Sequence, residues 1–121
     1  MILSVEPMEA LRYLPFLAKD GWVVTSTKTF ENIEDYPAED KLFEEIQRIE
    51  NHVLIDANAI ARELGSQKVS NMVMLGAASS YLGISGEKLE AALNMLFGRK
   101  GEEVVALNIK ALKAGKEGIR I

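Results

Sequence analysis

Three short apolar runs, each followed by a helix-like pattern, constrain the fold of this chain more than any other feature. The runs are residues 2–5, 22–27 and 52–56, and their length and composition are typical of buried strands. Pro7 then suits the first turn of a helix, residues 39–48 carry an apolar stripe, and a short helix is expected to end at Gly65. Strands that alternate with helices form parallel sheets covered on both faces. The sequence therefore predicts an α/β fold: a three-layer arrangement of about three parallel strands flanked by helices.

The second half of the chain is predicted to be helical throughout. Residues 67–82 form one segment, Ser85 caps a second helix that Gly98 stops, and a third helix over 102–114 is expected to end at Gly115. Residues 69–83 contain no Asp, Glu, Lys or Arg. A helix that is apolar on nearly all sides is buried on nearly all sides, so this segment is predicted to lie centrally.

Composition excludes several classes of protein. The chain has no cysteine and one histidine, so alone it builds no disulfide, Fe–S cluster or thiolate–zinc site. The net charge is −4 without a Lys/Arg cluster, which argues against nucleic-acid binding and against an anionic membrane surface. No signal peptide or confident membrane span is present in the sequence, and a cytoplasmic location is the default expectation.

Polar residues at the carboxyl ends of the first two strands are candidates for ligand or partner contact, because ligands of open α/β sheets bind at that edge. They are Glu6, Thr25 and Thr27. The alternatives are that Glu6 complements the dipole of the following helix, and that the threonines merely lead into a loop. No complete catalytic constellation, cofactor site or metal site emerges.

Asn71 is the conspicuous polar residue of the charge-free helix. If it is buried it must find hydrogen-bond partners, either from a neighbouring loop or from a ligand or partner subunit. Met72, Met74 and Met95 are most simply interpreted as core residues. A parallel sheet usually has more than three strands, so one edge of this one is expected to be uncovered. We therefore predict that the isolated chain is a homodimer or higher homo-oligomer.

Residues 71–115 resemble the end of the gamma domain of the 2-oxoacid:ferredoxin oxidoreductases. The resemblance lies in Asn-x-Val-x-Leu-Gly-Ala from Asn71, a Leu-Glu-x-Ala-Leu helix from Leu89, a Phe-Gly-x-Lys-Gly connection from Phe97, and Val-Val-x-Leu-Asn-x-Lys-Ala-x-x-Ala-Gly from Val104. The opening, residues 4–17, is similar to the smaller (beta) subunit of the indolepyruvate branch of that family. The resemblance as a whole covers nearly all of the chain.

The resemblance implies a multi-subunit enzyme that oxidatively decarboxylates a 2-oxoacid, an aryl pyruvate in the indolepyruvate branch, to an acyl-CoA and passes electrons to ferredoxin. Thiamine diphosphate, Fe–S clusters and CoA are expected in the holoenzyme, with this chain supporting the assembly and docking on a large (alpha) subunit. Members of the family begin this domain with a glycine-rich strand–turn–helix that is absent here. Residues 1–121 are accordingly expected to form a single truncated gamma-type domain that is inactive alone.

Two other functions remain open at this point. One is a non-catalytic interaction module that assembles through its uncovered apolar face. The other is a small-molecule binding domain that uses the carboxyl edge of the sheet.

Overall fold

The computed structural model describes residues 1–29 and 36–118, which form two compact units, residues 1–56 and residues 57–118. The loop predicted at 28–38 and the carboxyl-terminal tail fall partly outside the described residues. Each unit is built from a different kind of packing, so each is described by itself.

The first unit contains a parallel sheet of three strands in sequential order. The strands are β1 (Ile2–Ser4), β2 (Val23–Ser26) and β3 (His52–Ile55). In the register of the sheet, Ile2 lies opposite Val23, and Val23 lies opposite His52. The predicted α/β class with parallel strands is confirmed.

Two helices connect these strands, α1 (Pro7–Arg12) and α2 (Glu39–Gln47). Crossover connections between parallel strands are right-handed, and both connections here step in the same direction across the sheet. They therefore place α1 and α2 on the same face, where the two helices contact each other. Pro15 is incompatible with the interior of a helix, and accordingly α1 stops at Arg12 and a 3₁₀ turn (Leu14–Phe16) replaces further helix.

The central and third strands are buried on both faces, whereas the first strand is not. Every residue of β2 is buried, as is all of β3 except its first residue. Along β1 the alternate residues Met1, Leu3 and Val5 are 44%, 42% and 47% exposed. Alternate residues share one face of a strand, so the sheet presents an uncovered apolar strip at β1.

The second unit is helical. It contains α3 (Ala57–Glu63), α4 (Ser70–Ser79), α5 (Gly86–Phe97) and α6 (Glu102–Glu117), with 3₁₀ turns at Gln67–Val69 and Gly98–Lys100. Ser85 caps α5 as predicted, because its hydroxyl accepts a hydrogen bond from the backbone N–H of Lys88 at 3.2 Å. The central helix α4 is shorter than the predicted segment 67–82, since its flanks form the 3₁₀ turn and a separate turn.

Two glycines set the distance between α4 and α6. A Cβ atom on Gly76 would lie 2.0 Å from the carbonyl oxygen of Leu112, and one on Gly115 would lie 1.9 Å from that of Val73. Each glycine thus lets the backbone of the other helix approach directly. The prediction that Gly115 ends the last helix is wrong, because α6 continues to Glu117 and Gly115 is buried within it.

Two further expectations about the second half need correction. Met95 is 86% exposed and is not a core residue, because α5 buries only Leu93 fully and turns the Met95 side to solvent. Asn71 is exposed in the first turn of α4, so it has no need of buried partners. Farther along α4, Met74 and Ala77 are buried as predicted. None of the helices in the described part of the chain has the length and apolarity needed to cross a membrane.

Candidate functional site

The carboxyl edge of the parallel sheet brings together three of the four residues predicted for ligand or partner contact. The register places Thr25 opposite Ser4, the last residue of β1. Thr27 follows β2, and its backbone N–H donates to the carbonyl oxygen of Ile55 at 3.0 Å, which prolongs the pairing with β3. Glu6 lies two residues beyond β1. The fourth residue, Asn71, belongs to the second unit.

Glu6 is 5% exposed and its carboxylate is fully engaged in local hydrogen bonds. One oxygen, Oε1, accepts from the backbone N–H of Met8 and, at 3.1 Å, from that of Glu9. These are donors that the first turn of a helix leaves without an intrahelical partner. Glu6 therefore caps α1, and its negative charge lies at the positive end of that short helix.

Tyr36, which follows β2 in the chain, contacts the same carboxylate. Its hydroxyl donates to Oε2 of Glu6. Farther along, the hydroxyl of Thr29 donates to Glu39 at 2.8 Å, at the start of α2. The sequence offered no signal for the Tyr36 contact, because the two residues are 30 positions apart and only the fold brings them together. Glu6 thus joins the start of α1 to the segment that leads into α2.

Thr25 differs from its neighbours because it is 0% exposed. Its hydroxyl is a buried polar atom for which the described residues provide no hydrogen-bond partner. The adjacent Ser26 is also buried, but its hydroxyl accepts from the backbone N–H of Lys28 at 3.2 Å. A buried hydroxyl without a partner costs stability and needs a physical explanation. In this structure Thr25 is not open to a ligand arriving from solvent, whereas Thr27 is half-buried.

Apart from the Thr25 hydroxyl, the polar groups described above at this edge have hydrogen-bond partners. The carboxylate of Glu6 is occupied by three donors, and the hydroxyl of Ser4 donates to the Glu6 carbonyl oxygen at 2.6 Å. Within residues 1–29 and 36–118, no cluster of three or more His, Cys, Asp or Glu side chains is arranged to hold a metal ion. Among the described residues, this geometry holds the start of α1 to the segment that leads into α2.

Asn71 lines a cleft of about 370 Å³ in the second unit. The cleft also contains Lys68, Phe97, Lys100 and Asn108, so the starts of α4 and α6 meet the connection after α5 there. The ammonium of Lys100 lies 5.6 Å from the ring centroid of Phe97, within the range of a cation–π interaction. The amide of Asn108 donates to the Val104 carbonyl oxygen at 2.8 Å. Three segments of the predicted family pattern therefore converge around Asn71.

A second cleft of about 390 Å³ lies between the turn after α4, the start of α5 and the end of α6. Its polar lining includes Ser85 and an ion pair between Lys113 and Glu90 at 3.3 Å. The buried Ser79 also faces it, and the hydroxyl of Ser79 donates to the Gly76 carbonyl oxygen at 2.7 Å. Its charged lining, Glu87, Glu90, Lys113 and Lys116, contains two acidic and two basic residues, so this cleft lacks the unbalanced charge that would select an ionic ligand.

Comparison with known proteins places these features in a family context. The chain is similar to two proteins named indolepyruvate oxidoreductase subunit IorB. It is 31% identical to that of Archaeoglobus fulgidus over 95% of this chain and 60% of the relative. It is also 31% identical to that of Pyrococcus horikoshii over all of this chain and 65% of the relative. The chain thus spans less than two thirds of the length of either relative.

The fold resembles part of a much larger solved protein. That protein is a 2-oxoglutarate:ferredoxin oxidoreductase from Magnetococcus marinus, solved with 2-oxoglutarate, coenzyme A and succinyl-CoA bound. The TM-score is 0.68 at 26% identity, and the match covers 97% of this chain and 19% of that one. The family described as pyruvate ferredoxin/flavodoxin oxidoreductase matches residues 1–118. From this match over nearly its full length, the chain belongs to the pyruvate ferredoxin/flavodoxin oxidoreductase family.

Proposed function

We propose that this chain is a non-catalytic subunit of a 2-oxoacid:ferredoxin oxidoreductase of the indolepyruvate type. The holoenzyme would oxidatively decarboxylate an aryl pyruvate to the corresponding acyl-CoA and reduce ferredoxin. The observation that carries the proposal is the family match over residues 1–118, together with relatives named as subunits of indolepyruvate oxidoreductase. The resembling solved structure is an enzyme for 2-oxoglutarate.

The residues of this chain do not fit the redox cofactors of such an enzyme. Fe–S clusters are held by cysteine thiolates, and the chain has no cysteine. The described residues also lack an acidic or histidine cluster for the divalent cation that accompanies a diphosphate. We therefore assign thiamine diphosphate and the clusters to a companion, the large (alpha) subunit, and we derive no catalytic step from this chain. Cytoplasmic location stays a prediction of the sequence.

Within this proposal residues 1–121 act as one gamma-type domain whose role is structural. The contact of Glu6 with Tyr36 joins the start of α1 to the segment before α2, and the close contact of α4 with α6 fixes the helical half. Glu6, Thr25, Thr27 and Asn71 remain our candidates for contact with the companion subunit or with a ligand held between the subunits.

Co-expression with the companion subunit tests the proposal. The companion is recognised by its own sequence, which must contain a thiamine diphosphate domain and Cys-x-x-Cys motifs. We expect the two chains to co-purify through affinity and size-exclusion steps in a fixed ratio. Recovery of the companion without this chain, under conditions where both are folded, would refute the proposal.

A second function, a non-catalytic module that assembles with itself, is favoured by one specific observation. The strip formed by Met1, Leu3 and Val5 exposes apolar side chains on one face of an edge strand. Such edges invite pairing with another chain. The predicted homo-oligomer would bury this strip, and Leu3→Asp would then reduce the mass of the isolated chain in analytical ultracentrifugation. A wild-type chain that is monomeric at micromolar concentration would rule out this assembly.

A further inference from the structure

The exposed side of α5 combines an apolar centre with a basic residue at each end. Met95 and Leu96 are 86% and 70% exposed, and Ala92 beside them is also exposed. With 3.6 residues in each turn of α5, Lys88 falls on the same side as these three residues. Arg99 follows α5 directly, in the 3₁₀ turn Gly98–Lys100. Both basic residues are exposed. We call these five residues, Lys88, Ala92, Met95, Leu96 and Arg99, the α5 face.

No acidic residue of α5 balances the charge of this face. Glu90 lies on the opposite side of the helix, where it pairs with Lys113 of α6. Glu87 is rotated around the helix axis by about 100° from Lys88 and about 140° from Ala92, at 100° for each residue. Among the described residues neither Lys88 nor Arg99 takes part in an ion pair. The α5 face is therefore positively charged, although the chain as a whole carries a net charge of −4.

Exposed methionine and leucine side chains at the centre of a polar rim are typical of protein interaction sites. A helix face of this kind is recognised by a partner that buries its apolar centre and complements the charges at its ends. Lys88 lies about 14 Å along the helix axis from Phe97, the last residue of α5, at 1.5 Å for each residue, and Arg99 lies just beyond that end. The matching partner surface carries acidic groups at about that separation on either side of an apolar patch.

The charge pattern argues against a second copy of this chain as the occupant. An antiparallel pairing of two α5 faces would bring Lys88 of one copy beside Arg99 of the other, and a parallel pairing would set each basic residue against itself. Like charges brought together at an interface cost several kcal/mol. A membrane is also a poor match, because two basic residues fall short of the four to eight, roughly, in clusters that bind anionic lipid.

The fold also occurs as 19% of a much longer chain in the resembling oxidoreductase, so this kind of domain does occur joined to other protein.

We propose that the α5 face is the docking surface for an acidic, apolar-centred surface of the companion subunit. This inference rests on the proposed function, because it names the part of the chain that makes the contact. The apolar strip on β1 is a separate surface with its own test.

Binding of purified companion subunit to immobilised full-length chain tests the inference. We expect Leu96→Glu to weaken binding about tenfold or more, because it buries an unpaired charge at the centre of the interface. The double variant Lys88→Glu/Arg99→Glu should weaken binding by a similar factor, since it sets acid against acid. Raising the salt from about 50 to 500 mM should weaken binding of the wild-type chain but should affect the double variant less.

The matched control is Lys41→Glu/Lys110→Glu, which replaces two other exposed lysines and reaches the same net charge. It should bind within about twofold of the wild type. If the wild-type chain binds the companion and the α5 variants bind equally well, the inference is wrong and the proposed function stands. If the wild-type chain does not bind at all, both fail together.

Two further outcomes would overturn the inference in favour of another occupant. One is a wild-type dimer that Leu96→Glu converts to a monomer, which would assign the face to a second copy. The other is co-sedimentation of the wild-type chain with phosphatidylserine/phosphatidylcholine vesicles that the double variant loses, which would assign it to a membrane surface. Circular dichroism of each variant confirms that the helices are retained.

Discussion

Replacing Gly115 by alanine adds one methyl group where the structure has no room for it. The new Cβ would lie 1.9 Å from the carbonyl oxygen of Val73 and 2.7 Å from its carbonyl carbon. Ordinary contact begins at 3.4 Å, so the two helices must separate by more than 1 Å to accept the methyl group. The obstacle is backbone, which cannot escape by changing a rotamer.

The cost follows from this geometry. Overpacking of a well-packed interior costs about 1–3 kcal/mol, and a backbone obstacle places Gly115→Ala at or above the upper end of that range. Alanine favours the helix over glycine by about 1 kcal/mol, which offsets part of the loss. We therefore expect the free energy of unfolding to fall by about 2–3 kcal/mol, and Gly76→Ala to behave similarly because its Cβ would meet the carbonyl oxygen of Leu112 at 2.0 Å.

Urea unfolding followed by circular dichroism measures these changes. Gly98→Ala is the matched control, because a Cβ there meets nothing within 4 Å and the backbone φ is −55°. It should change the stability by less than about 1 kcal/mol. The double variant of Gly76 and Gly115 should cost less than the two single changes together, since one separation of α4 from α6 relieves both clashes. If Gly115→Ala is as stable as Gly98→Ala, the close approach of the two helices is refuted.

Three other changes test the remaining local arguments. Glu6→Ala should lower the free energy of unfolding by about 1–3 kcal/mol, because the α1 cap and the Tyr36 contact are lost. Glu6→Gln should lower it by less. Equal stability of the wild type and both variants would contradict the capping role. Thr25→Val should be neutral or stabilising by about 1 kcal/mol, because the Thr25 hydroxyl is buried without a partner among the described residues. Marked destabilisation would reveal a partner for this hydroxyl. Gly101→Ala should lower the free energy of unfolding by about 1–3 kcal/mol, because Gly101 has φ +107°, a backbone conformation that strains alanine even with open space around it. An unchanged urea midpoint would refute this backbone strain.

The sequence was sufficient to predict the elements of the fold but not the contacts between them. Alternating apolar runs and helical stripes identified the strands and their parallel class, because both depend on local periodicity. The caps at Ser85 and Gly98 were also local signals. Gly115 was misinterpreted because a glycine near the end of a helix has the same local pattern whether it ends the helix or admits a neighbour. Only the position of Val73 on another helix distinguishes the two.

The candidate site could likewise be predicted from the sequence only in its local features. The sequence places Glu6 between the first strand and the following helix, and each of its two alternatives depends on one of these neighbours. Its contact with Tyr36 and the complete burial of Thr25 depend on strand register and on a loop of many residues, which composition does not determine. Met95 was assigned to the core because it is apolar, yet the side of α5 that packs inward is set by α6 and leaves Met95 in solvent.

Reconstitution of activity tests the central claim most directly. The companion subunit is assayed with and without this chain for reduction of ferredoxin in the presence of CoA and each of several 2-oxoacids, aryl pyruvates and 2-oxoglutarate among them. The account predicts substrate-dependent reduction only when both chains are present, with an aryl pyruvate as the preferred substrate. A companion subunit that is equally active without this chain would contradict the account.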